Sequence, residues 1–195
     1  MNIHNFHGNQ RRFHRVLTVH PIDSSHESAY NECKPERTDS PMKLNADIVY
    51  EGLKKKYPVT MSGPKSTQLT ISRPELYLDN EVAFYADHLY LATVDHLPVH
   101  PQLQKNAVIV VIGEGAKLFH YQEQCCLIVI EKDADFFGVN RCICQLFDRY
   151  YAWEQKLFDI FLDTADLQQI VACSEPLFGC SICVLDASFH YITKA

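Results

Sequence analysis

Gly113, Glu114 and Gly115 form the first stretch whose residue types could do chemistry, because they follow an apolar run that is predicted to be a strand. Glycine-rich turns at such positions bind phosphate groups. The dinucleotide fingerprint, however, needs another glycine at its sixth position, where this chain has Leu118, and a P-loop needs Gly-Lys-Ser/Thr. We therefore interpret the stretch as a turn. It remains the first candidate for contact with a small ligand, since ligands bind at the carboxyl ends of parallel strands.

Two of the eight cysteines, Cys180 and Cys183, have the CxxC spacing of metal and redox sites. A zinc site needs a second pair, and a redox site places the motif at a helix N-terminus. Here Cys183 belongs to a predicted strand, in which residues three apart face opposite ways. We predict buried or half-buried thiols and no bound metal. A metal or redox protein that uses Cys180 and Cys183 is the alternative function.

Acid–base chemistry is suggested by two Asp-His pairs, Asp87 with His88 and Asp95 with His96. Neighbours on a strand point to opposite faces, so neither pair is assembled by its sequence position alone. The chain also has no GxSxG elbow and no HExxH motif. We therefore predict that the protein is not an enzyme and uses no cofactor.

A histidine tract that binds metal is the alternative for the N-terminal region: His4, His7, His14, His20 and His26.

A long amphipathic helix over residues 136–163 is the element around which the chain is organised. Its apolar residues recur in steps of four and three, which keeps them on one helix face: Val139, Ile143, Leu146, Tyr150, Trp153, Leu157 and Ile160. A row of this length is typical of a helix that pairs lengthwise with another helix. We predict that this row, here called the seam, joins the chain into a homodimer. The alternative is that the helix packs on its own domain.

The region before this helix alternates helical and extended segments, which predicts an α/β domain with a partly parallel sheet over residues 42–135. Asn45 is placed to cap a first helix. Residues 107–112 and 126–130 are continuous apolar runs, typical of strands covered on both faces. Residues 1–41 have too few apolar side chains to offset the entropy of ordering, so we predict a disordered extension.

The region after the long helix predicts a shorter helix and a strand pair. Asp163 is placed to cap a helix over residues 164–173, and strands are expected at residues 182–185 and 189–193. A long helix, a short helix and an apolar strand are how PAS- and GAF-like sensor modules begin. We therefore predict that residues 164–195 are the start of a PAS/GAF-like α+β module.

Several segments of the chain resemble the N-terminal half of the purine-catabolism-regulator (PucR-type) transcription factors. The resemblance is carried by residues 147–154 (FDRYYAWE), 157–162 (LFDIFL), 166–170 (DLQQI) and 178–189, and by the apolar strands upstream. It implies a regulatory portion that senses a small-molecule effector and signals through the long helix. It also implies that the DNA-binding helix-turn-helix of such regulators is absent from these residues. A gene fragment without an independent function is a further alternative.

Composition sets bounds on the remaining classes. Apolar residues make up 47% of the chain and charged residues 22%, so a packed core is expected. A net charge of −6 argues against a direct nucleic-acid contact, which needs a basic surface. No run of ~18 apolar residues and no signal peptide is present, so we predict no membrane partner and a cytoplasmic location.

Overall fold

The structure is a computed structural model that describes residues 42–77 and 83–194, and the backbone alone of residues 3–4 and 15–18. These residues divide into two compact units. The α/β unit comprises Pro41–Arg149, and the helix–hairpin unit comprises Met1–Ser40 with Tyr150–Ala195. In chain order the helices and strands are β1 (Ile3–His4), β2 (Arg15–Thr18), α1 (Ala46–Lys54), β3 (Val59–Ser62), β4 (Glu75–Leu76), β5 (Ala83–Phe84), β6 (Leu89–Thr93), a 3₁₀ turn (Val94–His96), β7 (Gln102–Leu103), β8 (Val108–Ile112), α2 (Leu118–Gln122), β9 (Cys126–Ile130), α3 (Phe136–Asp163), α4 (Leu167–Phe178), β10 (Ile182–Leu185) and β11 (Tyr191–Lys194).

A five-stranded mixed sheet is the centre of the α/β unit, with strand order β3-β9-β8-β6-β4. The strands β4, β6, β8 and β9 run parallel, and β3 lies antiparallel to β9 at one edge. All five residues of β8 are buried, because helices and loops cover both faces of this central strand. The predicted α/β class with a partly parallel sheet, followed by a long helix, is confirmed.

Local sequence determines where the first helix begins. The side chain of Asn45 accepts a hydrogen bond from the N–H of Ile48 at 3.0 Å, as the predicted cap requires. Val49 and Leu53 on the inner face of α1 are buried. The exposed side of its last turn carries Lys54, next to Lys55 and Lys56.

Aromatic side chains fill one part of the core of the α/β unit. The ring of Phe84 is fully buried and stacks on Tyr77, with 4.9 Å between the ring centroids. Tyr90 and Tyr121 meet the same ring edge-on, at 5.1 and 5.9 Å. The hydroxyl of Tyr121 donates to the carbonyl of Pro98 at 2.7 Å, and burial raises the pKa of this phenol well above its usual value.

The helix–hairpin unit holds α4 and a four-stranded sheet of order β1-β2-β10-β11. Strands β10 and β11 form an antiparallel hairpin, and β2 lies parallel to β10. Val171 of α4 packs with Ile182 and Val184 of β10 as a small apolar core. The expected hairpin is present, although its return strand starts two residues later because Phe189 occupies the turn at φ +64°.

The predicted cap of α4 was wrong. The helix begins at Leu167 rather than Thr164, and its cap is Asp166, whose side chain accepts from the N–H of Gln168 at 2.8 Å. The N–H groups of Thr164 and Ala165 still bond to the carbonyl of Ile160, and Ala165 has φ +50°. These residues therefore close the end of α3, and Asp163 belongs to α3 itself.

The predicted disordered extension over residues 1–41 falls mostly outside the described residues, as do the side chains of His4, His7, His14, His20 and His26. The six described positions within it form β1 and β2. The assignment of residues 164–195 to a PAS/GAF-like module stays a prediction.

Candidate functional site

The carboxyl ends of three parallel strands form one edge of the five-stranded sheet. Thr93 of β6 is in register with Ile112 of β8, and Ile112 with Ile130 of β9. The segments that follow these strands therefore start side by side: the 3₁₀ turn, the loop that contains Gly113, Glu114 and Gly115, and the loop that leads into α3. Because strand ends of this kind are the common place for small ligands in parallel sheets, this edge is the candidate site.

The two loop glycines allow the close approach of Val94. A Cβ atom at Gly113 would lie 2.8 Å from Cγ1 of Val94, and one at Gly115 would lie 3.2 Å from its Cγ2. Gly113 also has φ +102°, which a side chain would strain, and its N–H donates to the carbonyl of Ile130 at 2.9 Å. That N–H therefore takes part in the hydrogen bonding of the sheet. The loop is a packed turn, and Glu114 and Gly115 are exposed at its tip.

Polar groups lie on both sides of this turn. Oγ1 of Thr93 and Nδ1 of His96 are 2.5 Å apart, and Nζ of Lys117 donates to the carbonyl of Leu97 at 2.7 Å. The lysine therefore joins the start of α2 to the segment after the 3₁₀ turn. The arrangement offers a carboxylate, a hydroxyl and an imidazole to a small polar ligand.

The start of α3 is attached to the same edge. The carboxylate of Asp135 accepts from the N–H of Gly138 at 2.7 Å and so caps the first turn. Tyr57, just before β3, lies against this turn, since its hydroxyl would be 3.3 Å from a Cβ at Gly138. Burial raises the pKa of Tyr57, and the neighbouring Cys142 and Asp135 raise it further. A ligand at the strand ends would therefore lie close to the beginning of the long helix.

The first half of the seam packs inside the α/β unit. Val139 and Ile143 are fully buried, and so is Phe147 beside them. Leu146 lies against α1, where a Cβ at Gly52 would be 2.7 Å from its Cδ2. Glycine inside a predicted helix often marks such a close approach, and this signal could have identified the contact from sequence.

The second half of the seam belongs to the helix–hairpin unit, where its members are half-buried. The indole of Trp153 meets the ring of Phe178 edge-on at 5.6 Å and donates to Oγ of Ser174 at 3.0 Å. Ser174 is buried and in turn donates to the carbonyl of Ile170 at 2.7 Å. Leu146 and Trp153 therefore each make a contact within their own chain, as the alternative interpretation of the helix expected. The dimer seam itself stays a prediction.

Replacing Trp153 with phenylalanine is expected to lower the free energy of unfolding of the helix–hairpin unit by about 1 kcal/mol, because Ser174 loses the indole N–H but keeps its bond to Ile170. Urea denaturation followed by circular dichroism measures the change. Tyr151→Phe is the matched control, since Tyr151 is an exposed ring on the same helix, and it is expected to leave stability unchanged. Equal losses in the two variants would contradict the role of the indole hydrogen bond.

The described cysteines do not form a metal site. Cys180 precedes β10 and Cys183 lies within it; both are half-buried free thiols. Within residues 42–77 and 83–194, no three histidine, cysteine or acidic side chains lie together in a way that could hold a metal ion. Cys125 and Cys126 are buried, and desolvation raises their pKa to about 12 and about 11.

Alkylation with iodoacetamide at about pH 8.5 is expected to leave Cys125 and Cys126 unmodified in the folded protein, because a raised pKa lowers the thiolate fraction and burial blocks access. The half-buried thiols are expected to react first: Cys144, Cys173, Cys180 and Cys183. Peptide mass spectrometry measures the order, and unfolding in urea should make all of these cysteines reactive. Early labelling of Cys125 in the folded protein would contradict its burial.

Neither Asp-His pair is assembled in the fold. Asp87 accepts from the hydroxyl of Thr70 at 2.7 Å, and His88 pairs instead with Glu75, with 2.6 Å between Nδ1 and Oε1. Asp95 is exposed at the strand-end edge, and His96 contacts Thr93. The imidazoles of His88 and His96 therefore interact with Glu75 and Thr93 rather than with the aspartates next to them in the sequence.

Comparisons of the chain with protein-family models, curated protein sequences and solved structures gave no match. Among the described residues, no helix is both long and apolar enough to cross a membrane. Function is therefore inferred from the residues and contacts described above.

Proposed function

We propose that this chain is the regulatory portion of a PucR-like transcription regulator, in which a small-molecule effector bound at the strand-end edge changes the packing of α3. The proposed effector contacts are Gly113, Glu114 and Gly115. The helix would carry the change into a PAS/GAF-like module that begins with α4 and the β10–β11 hairpin. The resemblance of residues 147–154, 157–162, 166–170 and 178–189 to that family supports this assignment.

The observation that carries the proposal is that α3 contributes residues to both compact units. Its 28 residues begin at the candidate site, where Asp135 caps the first turn. Val139, Ile143 and Phe147 then belong to the core of the α/β unit, and Trp153 packs in the helix–hairpin unit. One continuous helix, with a buried face in the α/β unit and a half-buried face in the helix–hairpin unit, is an element through which a displacement at one end is carried to the other.

Signalling of this kind needs two packing arrangements that bind the effector with different affinity. The contacts that could change lie further along α3, within the α/β unit. An exposed ion pair between Arg73 and Asp148 fastens the middle of α3 to the segment before β4. Leu146 rests on Gly52 one half-turn earlier. Both are contacts that a small rotation of the helix would alter without unfolding the core.

Effector binding is tested by thermal unfolding with free purine bases as probes, since the family that the chain resembles regulates purine catabolism. A base at one hundred times its Kd is expected to stabilise the protein by about 2.7 kcal/mol. Glu114→Lys is expected to abolish the shift by changing the charge at the site. Glu123→Lys, at an exposed carboxylate beyond the other end of α2, is the matched control. Absence of any shift with every base, or equal shifts in both variants, would contradict the proposed site.

Dimerisation through the seam is tested at Leu157 and Ile160, which are half-buried members of its second half. Wild-type protein is expected to show twice the 22.4 kDa chain mass by light scattering. The double variant Leu157→Asp with Ile160→Asp is expected to show the single-chain mass, because two buried carboxylates would disfavour pairing. Lys156→Asp, on the exposed face of the same helix, is the matched control. A monomeric wild type, or a double variant that stays dimeric, would contradict the seam.

A further inference from the structure

The strand β10 of the helix–hairpin unit pairs with strands from two very different parts of the sequence. On one side it forms the antiparallel hairpin with β11, which follows it directly. On the other side it pairs in parallel with β2, which comes from near the beginning of the sequence. The register places Val16 beside Cys183 and Leu17 beside Val184. The edge of β10 that faces away from β11 is therefore covered by a strand from a remote part of the chain.

Contacts that do not involve β2 fix the position of β10. Its side chains Ile182 and Val184 are buried in the small apolar core that they form with α4. Gln168 of α4 also holds β11, because its Nε2 donates to the carbonyl of Lys194 at 2.9 Å and its Oε1 accepts from the hydroxyl of Thr193. The helix α4 and the strands β10 and β11, here called the α4–hairpin core, therefore present an assembled edge to which a strand can add.

The pairing of β2 with β10 is short. It runs over four residues of each strand, from Arg15 beside Ile182 to Thr18 beside Leu185. Each backbone hydrogen bond of such a ladder contributes about 1 kcal/mol to stability, whereas ordering each residue costs about 1–2 kcal/mol of conformational entropy. Closing the long stretch of chain between Thr18 and Ile182 adds to that cost. The backbone terms leave little net stabilisation, so we expect β2 to detach more readily than the α4–hairpin core unfolds.

We propose that this edge of β10 is a docking site for an extended strand, and that residues 15–18 occupy it as a detachable ligand within the same chain. While β2 is docked, the N–H and C=O groups along the edge are paired and cannot bind another chain. Detachment opens the edge to the same strand of a second copy, which fits the identical register. The N-terminal strand therefore acts as an autoinhibitory cover that controls strand exchange between copies. This inference does not depend on the effector site or the seam.

Hydrogen exchange of the backbone amides, measured residue by residue by nuclear magnetic resonance on the full chain, tests the docking. Val16→Pro with Leu17→Pro is the releasing variant, because successive N–H groups of a strand point to opposite sides and one of these two faces β10. Within residues 182–185, the amides that face away from β11 are expected to exchange at least about tenfold faster than in the wild type. Val16→Ile with Leu17→Val keeps both N–H groups and is the matched control, expected to exchange as the wild type does.

A synthetic peptide with the sequence of residues 11–20 stands in for the strand of a second copy. An excess of this peptide is expected to restore slow exchange at residues 182–185 of the releasing variant, and the same peptide with proline at both substituted positions is expected to restore none.

Three results would overturn the proposal. The first is exchange at residues 182–185 that the proline substitutions leave slow, or that the peptide leaves fast. The second is faster exchange throughout α4 in the releasing variant, because β2 would then be part of the α4–hairpin core rather than a ligand of it. The third is wild-type exchange that becomes faster on dilution, because the docked strand would then come from another molecule.

Discussion

Gly63→Ala is expected to lower the free energy of unfolding of the α/β unit by at least about 3 kcal/mol. Gly63 follows β3 with φ +84°, a conformation that costs a residue with a side chain about 1–2 kcal/mol. A Cβ there would also lie 2.1 Å from the carbonyl oxygen of Cys125 and 2.7 Å from that of Gln122. Both obstacles are backbone atoms that hold the turn before β9, so they cannot swing aside as a side-chain end could. Urea denaturation monitored by circular dichroism measures the loss.

Gly179→Ala separates the cost of the backbone conformation from the cost of the close contact. Gly179 ends α4 with φ +63°, but no atom lies within 4 Å of the place where its Cβ would be. This variant therefore carries the conformational cost alone and is expected to lose about 1 kcal/mol from the helix–hairpin unit. If Gly63→Ala lost no more than Gly179→Ala, the close approach to the Cys125 carbonyl would not be a constraint on the fold.

Phe84→Ala is expected to lower the free energy of unfolding of the α/β unit by about 3–5 kcal/mol. The ring is completely buried among Tyr77, Tyr90 and Tyr121, so its removal forfeits apolar burial and three aromatic contacts and leaves a cavity. Chemical denaturation of the α/β unit measures the change, and near-ultraviolet circular dichroism reports on the packing of the three tyrosines.

Phe84→Leu is the matched control for Phe84→Ala, because it keeps most of the volume and removes only the aromatic geometry. It is expected to cost about 1–1.5 kcal/mol. A loss for Phe84→Ala no greater than for Phe84→Leu would indicate that the neighbouring rings collapse into the space, which the hydrogen bond from Tyr121 to Pro98 should resist.

The central part of the fold could be predicted because its signals are local. The apolar runs at 107–112 and 126–130 became β8 and β9, since a strand covered on both faces needs apolar side chains at every position. The helix over residues 136–163 has the bounds that its three-and-four spacing predicted. The helix cap at Asn45 follows from one side chain and its neighbours.

The short strands could not be predicted because their partners are distant in sequence. Thr60 of β3 is exposed and the other three residues of the strand are half-buried, so β3 has no clear alternation and forms through its pairing with β9. β5 and β7 contain two residues each and pair with each other. Strand formation depends on such cross-strand neighbours more than on the preference of the residues themselves.

The candidate site was only partly predictable for the same reason. The position of Gly113, Glu114 and Gly115 after a strand indicated a turn at the strand ends. The reason for the glycines is Val94, about twenty residues earlier, whose side chain fills the space that two Cβ atoms would need. Likewise, the spacing of the seam could not distinguish a partner helix from Gly52 and Phe178 of the same chain.

The antiparallel pairing of β3 with β9 has a consequence for synthesis on the ribosome. Thr60 pairs with Val129, so the edge strand emerges long before the strand that it needs. During that interval its N–H and C=O groups have no sheet to join, and only water can satisfy them. A translational pause that holds β9 inside the ribosome is therefore expected to expose the growing chain to aggregation or chaperone capture, and a pause after β9 has emerged is not.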